Sequence, residues 1–277
     1  MARIVLGPNQ YGKAEVRLVR VDRGSDRHTI ADLNITTQLR GDFTACHTEG
    51  DNGHVVPTDT QKNTVYAFAR DGVGAPEDFL LRLARHFTSA HAWVTGAHLS
   101  AEQYSWQRLG DHSFARAGRE TRTASVEVDG ESVVVTAGLK DCTVLKSTDS
   151  EFHGFPRDRY TTLPETSDRI LATNVTAAWT YGRDGLDYDA TYAGVRDLLL
   201  ETFAAHHSLA LQQTIFAMGE AVLERYDEIE SVNLACPNKH HFLVDLEPFG
   251  LDNPGEVFFA ADRPYGLIQA TVLREHG

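Results

Sequence analysis

Asn238 and His240 stand two residues apart in Pro237-Asn238-Lys239-His240, entering the apolar run Phe242 to Leu246. If that run is a strand, period-two geometry sends the amide and the imidazole to one face. Such a pair either converges on a ligand or simply makes a satisfied polar strand edge. Upstream, Thr58-Asp59-Thr60-Gln61 has the form of a capping box, in which the Thr58 hydroxyl satisfies a free helix N–H. That hydroxyl gains a second reading beside an amine. Lys13, near the start of the first strand, becomes a proton carrier if burial lowers its pKa, and is otherwise a solvated strand-end lysine.

Other chemistries lack their residues. Gly72 and Gly74 are the nearest approach to a phosphate-binding loop, but a third glycine and a preceding parallel-type strand are missing, so no nucleotide cofactor is expected. Thirteen histidines invite a metal reading, yet there is no His-Glu-x-x-His and no paired-cysteine motif. Adjacent His240 and His241 would point to opposite faces of a strand and cannot easily share an ion. No metal site is expected. The Gly-x-Ser-x-Gly turn of many hydrolases is absent as well. Cys46, Cys142 and Cys236 are odd in number and far apart, which fits structural thiols in a reducing compartment better than a disulfide scaffold.

The elements that must position these residues follow from the hydrophobic periods. Thr29 to Gly41 places Leu33, Ile35, Thr37 and Leu39 on one face, and Ala14 to Asp22 is similarly β-rich, so two strands open the chain. A helix is expected from Thr58, its capping box preceding Val65 and Phe68. A second starts at Pro76-Glu77-Asp78, with Leu80, Leu83, Ala84 and Phe87 at helical spacing. Beyond Trp93 the period returns to two, and Val126 to Val133 reads as a hairpin around an Asp-Gly turn. The second half repeats the order: strands at Thr143 to Ser147 and Ile170 to Trp179, and helices at about Ala190 to His206 and across Ile215 to Tyr226. Strands around Val232 and Phe242 and at Leu267 to Leu273 complete it. The expectation is an α+β chain of two ββααββ domains, each an antiparallel sheet with its helices on one face. The boundary is expected near Gly138, giving domains 1–138 and 139–277. Ser147 to Thr166, rich in Ser, Thr, Asp, Gly and Pro, is expected to be a long ordered loop of the kind that carries function.

Composition narrows the partners. In 277 residues, 42% hydrophobic content suffices for real cores, while a formal charge of −13 gives no general attraction for phosphate backbones or anionic lipid. Neither nucleic acid nor a membrane is an expected partner. The first residues lack a signal-peptide pattern, no apolar run approaches the ~20 residues of a spanning helix, and Arg274-Glu275-His276-Gly277 lacks a Ser-Lys-Leu peroxisomal address. A cytoplasmic location is expected.

Five segments together resemble the uricases: Tyr11-Gly12-Lys13; Pro57-Thr58-Asp59-Thr60-Gln61-Lys62-Asn63-Thr64; Val144-Leu145-Lys146-Ser147-Thr148 with Ser150-Glu151-Phe152; Asp168-Arg169-Ile170-Leu171; and Pro237-Asn238-Lys239-His240. The resemblance runs in order from about Tyr11 to Leu273. It implies the tunnelling fold, with two ββααββ domains per chain assembled into a tunnel-shaped homotetramer whose active sites lie at subunit interfaces. The reaction it implies is urate, oxygen and water giving 5-hydroxyisourate and hydrogen peroxide, without cofactor. By the same resemblance, Arg169 and Gln212 grip the urate anion, Phe152 stacks on it, and the backbone around Asp59 and Leu211 adds contacts. Position 211 is commonly valine in the family. Lys13, Thr58 and His240 resemble the proton relay, and Asn238 the residue that holds oxygen or water over the substrate. Two other readings are a zinc-dependent pterin- or purine-processing enzyme of the same fold, whose ligand spacings are absent, and a catalytically silent purine-binding protein.

Overall fold

The computed structural model describes residues 2–261 and 263–275. Two compact units divide the chain: Met1–Gly138 with Thr180–Tyr192, and Leu139–Trp179 with Ala193–Gly277. The first contains β1 (Tyr11–Asp22), β2 (Thr29–Gly41), α1 (Thr44–Glu49), α2 (Thr58–Arg70), α3 (Pro76–Ala90) and β3 (Val94–Gln103). Two short strands, β4 (Trp106–Arg108) and β5 (Phe114–Arg116), precede β6 (Thr121–Asp129). Strands β1, β2, β3 and β6 pair antiparallel in that spatial order. The period-two reading of β2 is matched residue by residue, since Leu33, Ile35, Thr37 and Leu39 are all fully buried. Pro76 opens α3, whose first turn carries Glu77 and Asp78, and Leu80, Leu83, Ala84 and Phe87 form its buried stripe. Each large apolar side chain removed from water in this way contributes about 1.5–3 kcal/mol.

The hairpin turn after β6 falls one residue later than expected, at Gly130-Glu131, with Asp129 ending the strand. Gly130 has φ 58°, a left-handed conformation that costs a glycine little. Within the same unit a charged cluster, buried at Glu77 and Arg122 and open to solvent at Asp189, forms at the first turn of α3. Arg122 Nη2 donates to Glu77 Oε2 at 2.8 Å and its Nη1 to Asp189 at 2.5 Å, while the guanidinium covers the Tyr192 ring at 4.4 Å. Glu77 has no exposed side-chain surface, and burial, outweighing the attraction of Arg122, pushes its carboxyl up to about 7.

β7 (Ser132–Lys146) carries the chain onward to β8 (Leu171–Tyr181), α4 (Tyr188–Ala205), α5 (Leu211–Arg225) and β9 (Ile229–Lys239). Next come β10 (His241–Leu243), β11 (Phe258–Ala260) and β12 (Gly266–Leu273). The spatial order β7, β8, β9, β12 repeats that of β1, β2, β3, β6, again with two helices between the second and third strands. β9 and β12 pair antiparallel, and α5 buries Ile215, Met218 and Val222 on the side where Val232, Leu234 and Val272 are also buried. The α+β class and the double ββααββ order are therefore found as expected. Among the described residues no helix is long and apolar enough to cross a membrane.

Two local expectations fail. Pro237, Asn238 and Lys239 close β9 rather than entering a strand at Phe242 to Leu246. The next strand ends at Leu243, and a 3-10 turn follows at Glu247–Phe249. The ladder with β12 extends to Asn238, opposite Gly266, which draws the motif into the preceding strand. The second failure, the capping box, concerns the site itself.

Candidate active site

Lys13 owes its placement to an irregularity. At Gly12 a Cβ would lie 1.6 Å from the Thr37 carbonyl oxygen, so β1 and β2 approach here as only glycine allows. The ladder then slips. Lys13 pairs with Thr37 while Val16 pairs with Ile35, three steps on β1 against two on β2, which is a β-bulge. Glu15 takes the extra step at φ 56°, and its N–H donates to Thr36 Oγ1 at 3.1 Å. Because cross-strand partners share a face, Lys13 joins Val16 and Leu18 on the covered side of β1.

A buried polar chain links this point to α2. The Lys13 N–H donates to Thr37 Oγ1 at 3.4 Å, Thr37 Oγ1 donates to Gln61 Oε1 at 2.8 Å, and Gln61 Nε2 donates to the Val56 carbonyl at 3.3 Å. The Tyr11 hydroxyl closes the chain by accepting from the Val56 N–H at 2.7 Å. Gln61 therefore turns inward and does not reach back to cap the helix. Pro57 occupies the N-cap without a side-chain bond, and Thr58 is the first helical residue. The reason is energetic: leaving the buried Thr37 hydroxyl unpaired would cost about 1–3 kcal/mol, whereas a helix cap contributes about 1 kcal/mol. As a result the Thr58 hydroxyl carries no capping duty. Beside it, exposed Asp59 accepts from Lys62 at 2.5 Å and from Asn63 at 2.9 Å. Its carboxyl is held below the usual range, chiefly by the Lys62 hydrogen bond, with Lys13 adding a smaller attraction.

The second unit builds a different wall. Buried Ser150 bridges to buried Ser208, the Glu151 N–H donates to the Ser208 carbonyl at 2.7 Å, and Phe152 pairs with Thr166 through N–H to carbonyl bonds of 2.9 and 3.1 Å. The expected long loop is thus ordered by backbone bonds, both within itself and to Ser208. Phe155 stacks on Phe152 with ring centroids 5.0 Å apart. Arg169 Nε donates to Ser150 Oγ at 3.4 Å, and its guanidinium carbon stands 5.2 Å from the Phe152 centroid. Burial pushes the Arg169 pKa down, and no carboxylate among the described residues forms an ion pair with it. A partly desolvated cation without an internal counter-ion, next to a flat apolar ring, suits a planar anion.

Leu211 is buried at the start of α5 and Gln212 is exposed in its first turn. Thr214 Oγ1 donates to Ser208 Oγ at 2.8 Å, fastening that turn to the Ser150–Ser208 bridge. Asn238 sits at the end of β9, and the His240 ring stacks on Phe242 at 5.8 Å. Among the described residues neither of these two hydrogen-bonds Arg169. So the structure groups Phe152 and Arg169, ties Leu211 and Gln212 to them through Ser208, and places Asn238 at the end of the β9 pairing and His240 just beyond it, in the same unit. Lys13, Thr58 and Asp59 belong to the first unit. Among the described residues no group of three or more His, Cys, Asp or Glu is placed to hold a metal ion. Burial pushes the Cys236 thiol up to about 12, away from the thiolate a metal or a substrate would need.

Several participants escape a reading of sequence alone. Thr37 is one, although a polar residue among apolar ones on a strand face is a usable signal. Gln61 was legible only as a cap partner. Ser208 and His207 lie more than fifty positions from Ser150 and Glu151, the loop residues they hold, and no local pattern marks them.

Comparison with known proteins supplies the remaining context. The family model described as Uricase matches residues 9–127 and 135–269. A uricase from Arthrobacter globiformis is 62% identical over 275 residues, covering 99% of this chain and 91% of the relative. A uricase from Aspergillus flavus is 38% identical over 288 residues, covering 96% and 95%. The crystal structure of the Arthrobacter globiformis uricase superposes with a TM-score of 0.98 at 62% identity, covering 100% of this chain and 97% of that one. That of a uricase from Bacillus fastidious gives 0.82 at 26%, covering 96% and 93%. The chain therefore belongs to the uricase family.

Proposed function

We propose that this protein is a urate oxidase that converts urate, O2 and H2O to 5-hydroxyisourate and H2O2 without a cofactor. The observation that carries this reading is Arg169, a partly desolvated cation with no carboxylate ion pair among the described residues, beside Phe152 within a chain of this family. Urate is a flat anion. The Arg169 fork and the Gln212 amide read its edge, Phe152 stacks on its face, and backbone near Asp59 and Leu211 completes the contacts. Lys13 takes a proton from urate through Thr58, leaving an electron-rich dianion that reduces oxygen directly. His240 returns protons, and Asn238 holds O2 and then water above the ring. Loss of the capping role leaves the Thr58 hydroxyl available for that transfer.

The domains divide near Gly138, and four chains assemble so that Lys13, Thr58 and Asp59 of one subunit face Phe152, Arg169, Gln212 and His240 of another. A cytoplasmic setting suits the three free thiols. The test is loss of urate absorbance with one equivalent of O2 consumed and one of H2O2 formed, before and after treatment with a strong chelator. Activity that disappears with chelation and returns with zinc or copper overturns the cofactor-free reading, and binding of urate without oxygen uptake favours a silent binding protein.

A further inference from the structure

Glu151 immediately precedes Phe152 and is flanked by two imidazoles. His207 Nε2 lies 2.5 Å from Glu151 Oε1 and His153 Nε2 lies 2.7 Å from Oε2, while His207 Nδ1 faces Asp149 at 3.7 Å. The carboxylate is largely covered, whereas both histidines are about half exposed. His207 belongs to the turn between α4 and α5, so the contact joins the Phe152 loop to a segment fifty-six positions away. Other groups packed on this turn are Lys146, whose Nζ donates to the His206 carbonyl at 2.5 Å, and His206 itself, whose Nε2 is buried without a partner. Lys146 reaches the Phe203 carbonyl in the last turn of α4 and the His206 carbonyl just beyond it, where a cation is favourable.

We propose that Glu151 is a positioning residue for the Phe152–Arg169 wall and that His207 anchors it in a proton-dependent way, so that the grip on the purine weakens as His207 loses its proton. The inference rests on the assignment of Phe152 and Arg169 to the urate site. A histidinium donates from both ring nitrogens, to Glu151 and towards Asp149, whereas neutral imidazole keeps only one donor. The backbone bonds of Glu151 and Phe152 persist either way, so deprotonation loosens the wall without dismantling it. Two acidic neighbours raise the pKa of His207, first through the Glu151 hydrogen bond, and the two histidines lower that of Glu151. The ionic part of the anchor is therefore complete below the ordinary histidine range and is lost as pH rises through the raised value, leaving at most one neutral donor.

The experiment measures the dissociation constant of xanthine, a purine lacking the 8-oxo group, and KM and kcat for urate, from pH 6 to 9 in parent, His207→Gln, Glu151→Gln and Arg169→Lys proteins. Parent affinity for xanthine should fall across this range by about threefold more than that of His207→Gln, the modest size expected of a half-exposed ion pair. The kcat at saturating urate should stay within about twofold, because the reacting groups are untouched. In Glu151→Gln, the His207 titration followed by NMR should move to lower pH, and the affinity profile should flatten in the same way. Parallel affinity profiles in parent and His207→Gln overturn the proposal, as does a flattening that appears in kcat alone. If Arg169→Lys leaves xanthine binding unchanged, the site assignment fails instead, and the His207 titration then reports only on a surface contact.

Discussion

The Lys13–Thr58 corner and the Phe152–Arg169 wall are made differently. The corner stands on a strand and the first turn of a helix, pinned from beneath by Thr37 and Gln61, which have no exposed surface. The wall stands on a loop held by two isolated backbone bridges and by half-exposed charged contacts. Groups that move protons need positions good to a fraction of an ångström, and regular elements with buried hydrogen bonds supply that. Groups that enclose a ligand have to admit and release it, and a loop closed by weaker contacts permits this. The contrast predicts rigid chemistry on one side and tunable binding on the other.

The largest effect is expected at the rigid side. Lys13→Met should lower kcat by about 10²–10⁴-fold, the range of a lost proton-transfer group, while xanthine binding changes little. Equal losses in both would make Lys13 an electrostatic attractor only. Next, if the two halves of a site come from different subunits, refolding a mixture of inactive Lys13→Ala and Arg169→Ala chains should restore activity. Random pairing makes half of the dimers mixed with one good site in two, so about a quarter of sites recover. Verified mixed oligomers with no activity would put the whole site in one chain. On the adaptable side, Arg169→Lys replaces a planar fork by a single ammonium and should weaken binding by about 1–3 kcal/mol with a smaller change in kcat. An unchanged KM would remove Arg169 from the site.

Two smaller effects concern stability. Gln61→Leu should cost about 1–3 kcal/mol by leaving the Thr37 hydroxyl proton without an acceptor, and adding Thr37→Val should restore part of it, because the hydroxyl is then removed while the Lys13 N–H gives up only a long 3.4 Å bond. Denaturant midpoints decide this, and a double variant no more stable than the single one would show that the pair is not the strut. The smallest change should come from Glu77→Gln. Burial raises the Glu77 carboxyl from an ordinary 4.5 to about 7, so the folded state holds a proton that the unfolded chain has already lost. Stability from this group is complete below 4.5 and declines as pH rises towards 7. The parent should therefore lose on the order of 1 kcal/mol more than Glu77→Gln between pH 5 and 7. Superimposable stability curves would mean that Arg122 keeps Glu77 ionised throughout.

How much of this was legible in the sequence follows the same division. The alternation of Leu33, Ile35, Thr37 and Leu39 and the spacing of Leu80, Leu83, Ala84 and Phe87 are local patterns enforced by burial, and both appear as read. The class and the doubled strand–helix order came from such patterns. Thr58 was read as a cap because the local rule is sound in isolation, but a buried hydroxyl twenty-four positions earlier claimed Gln61. The strand expected from Phe242 to Leu246 stops at Leu243, and the motif before it lies in β9, because pairing with β12 captured Pro237 and Asn238 first. Long-range satisfaction of polar groups decides both cases, and periodicity is silent about it. Lys13, Thr58, Asn238 and His240 stood out by residue type and spacing, whereas Asp59, Phe152, Arg169, Leu211 and Gln212 were named only through resemblance, since single side chains such as Arg169 carry no periodic mark.

The extra residue near the start of β1 has one more consequence. Counted along an uninterrupted strand, position 13 shares parity with exposed Arg17 and Val19, and the amine would face away from α2. The slip at Glu15 reverses that parity, so the handedness of the corner is written in a residue count rather than in any reacting group. Deleting either Ala14 or Glu15 would leave every proposed participant present in the chain and still turn the lysine out of doors.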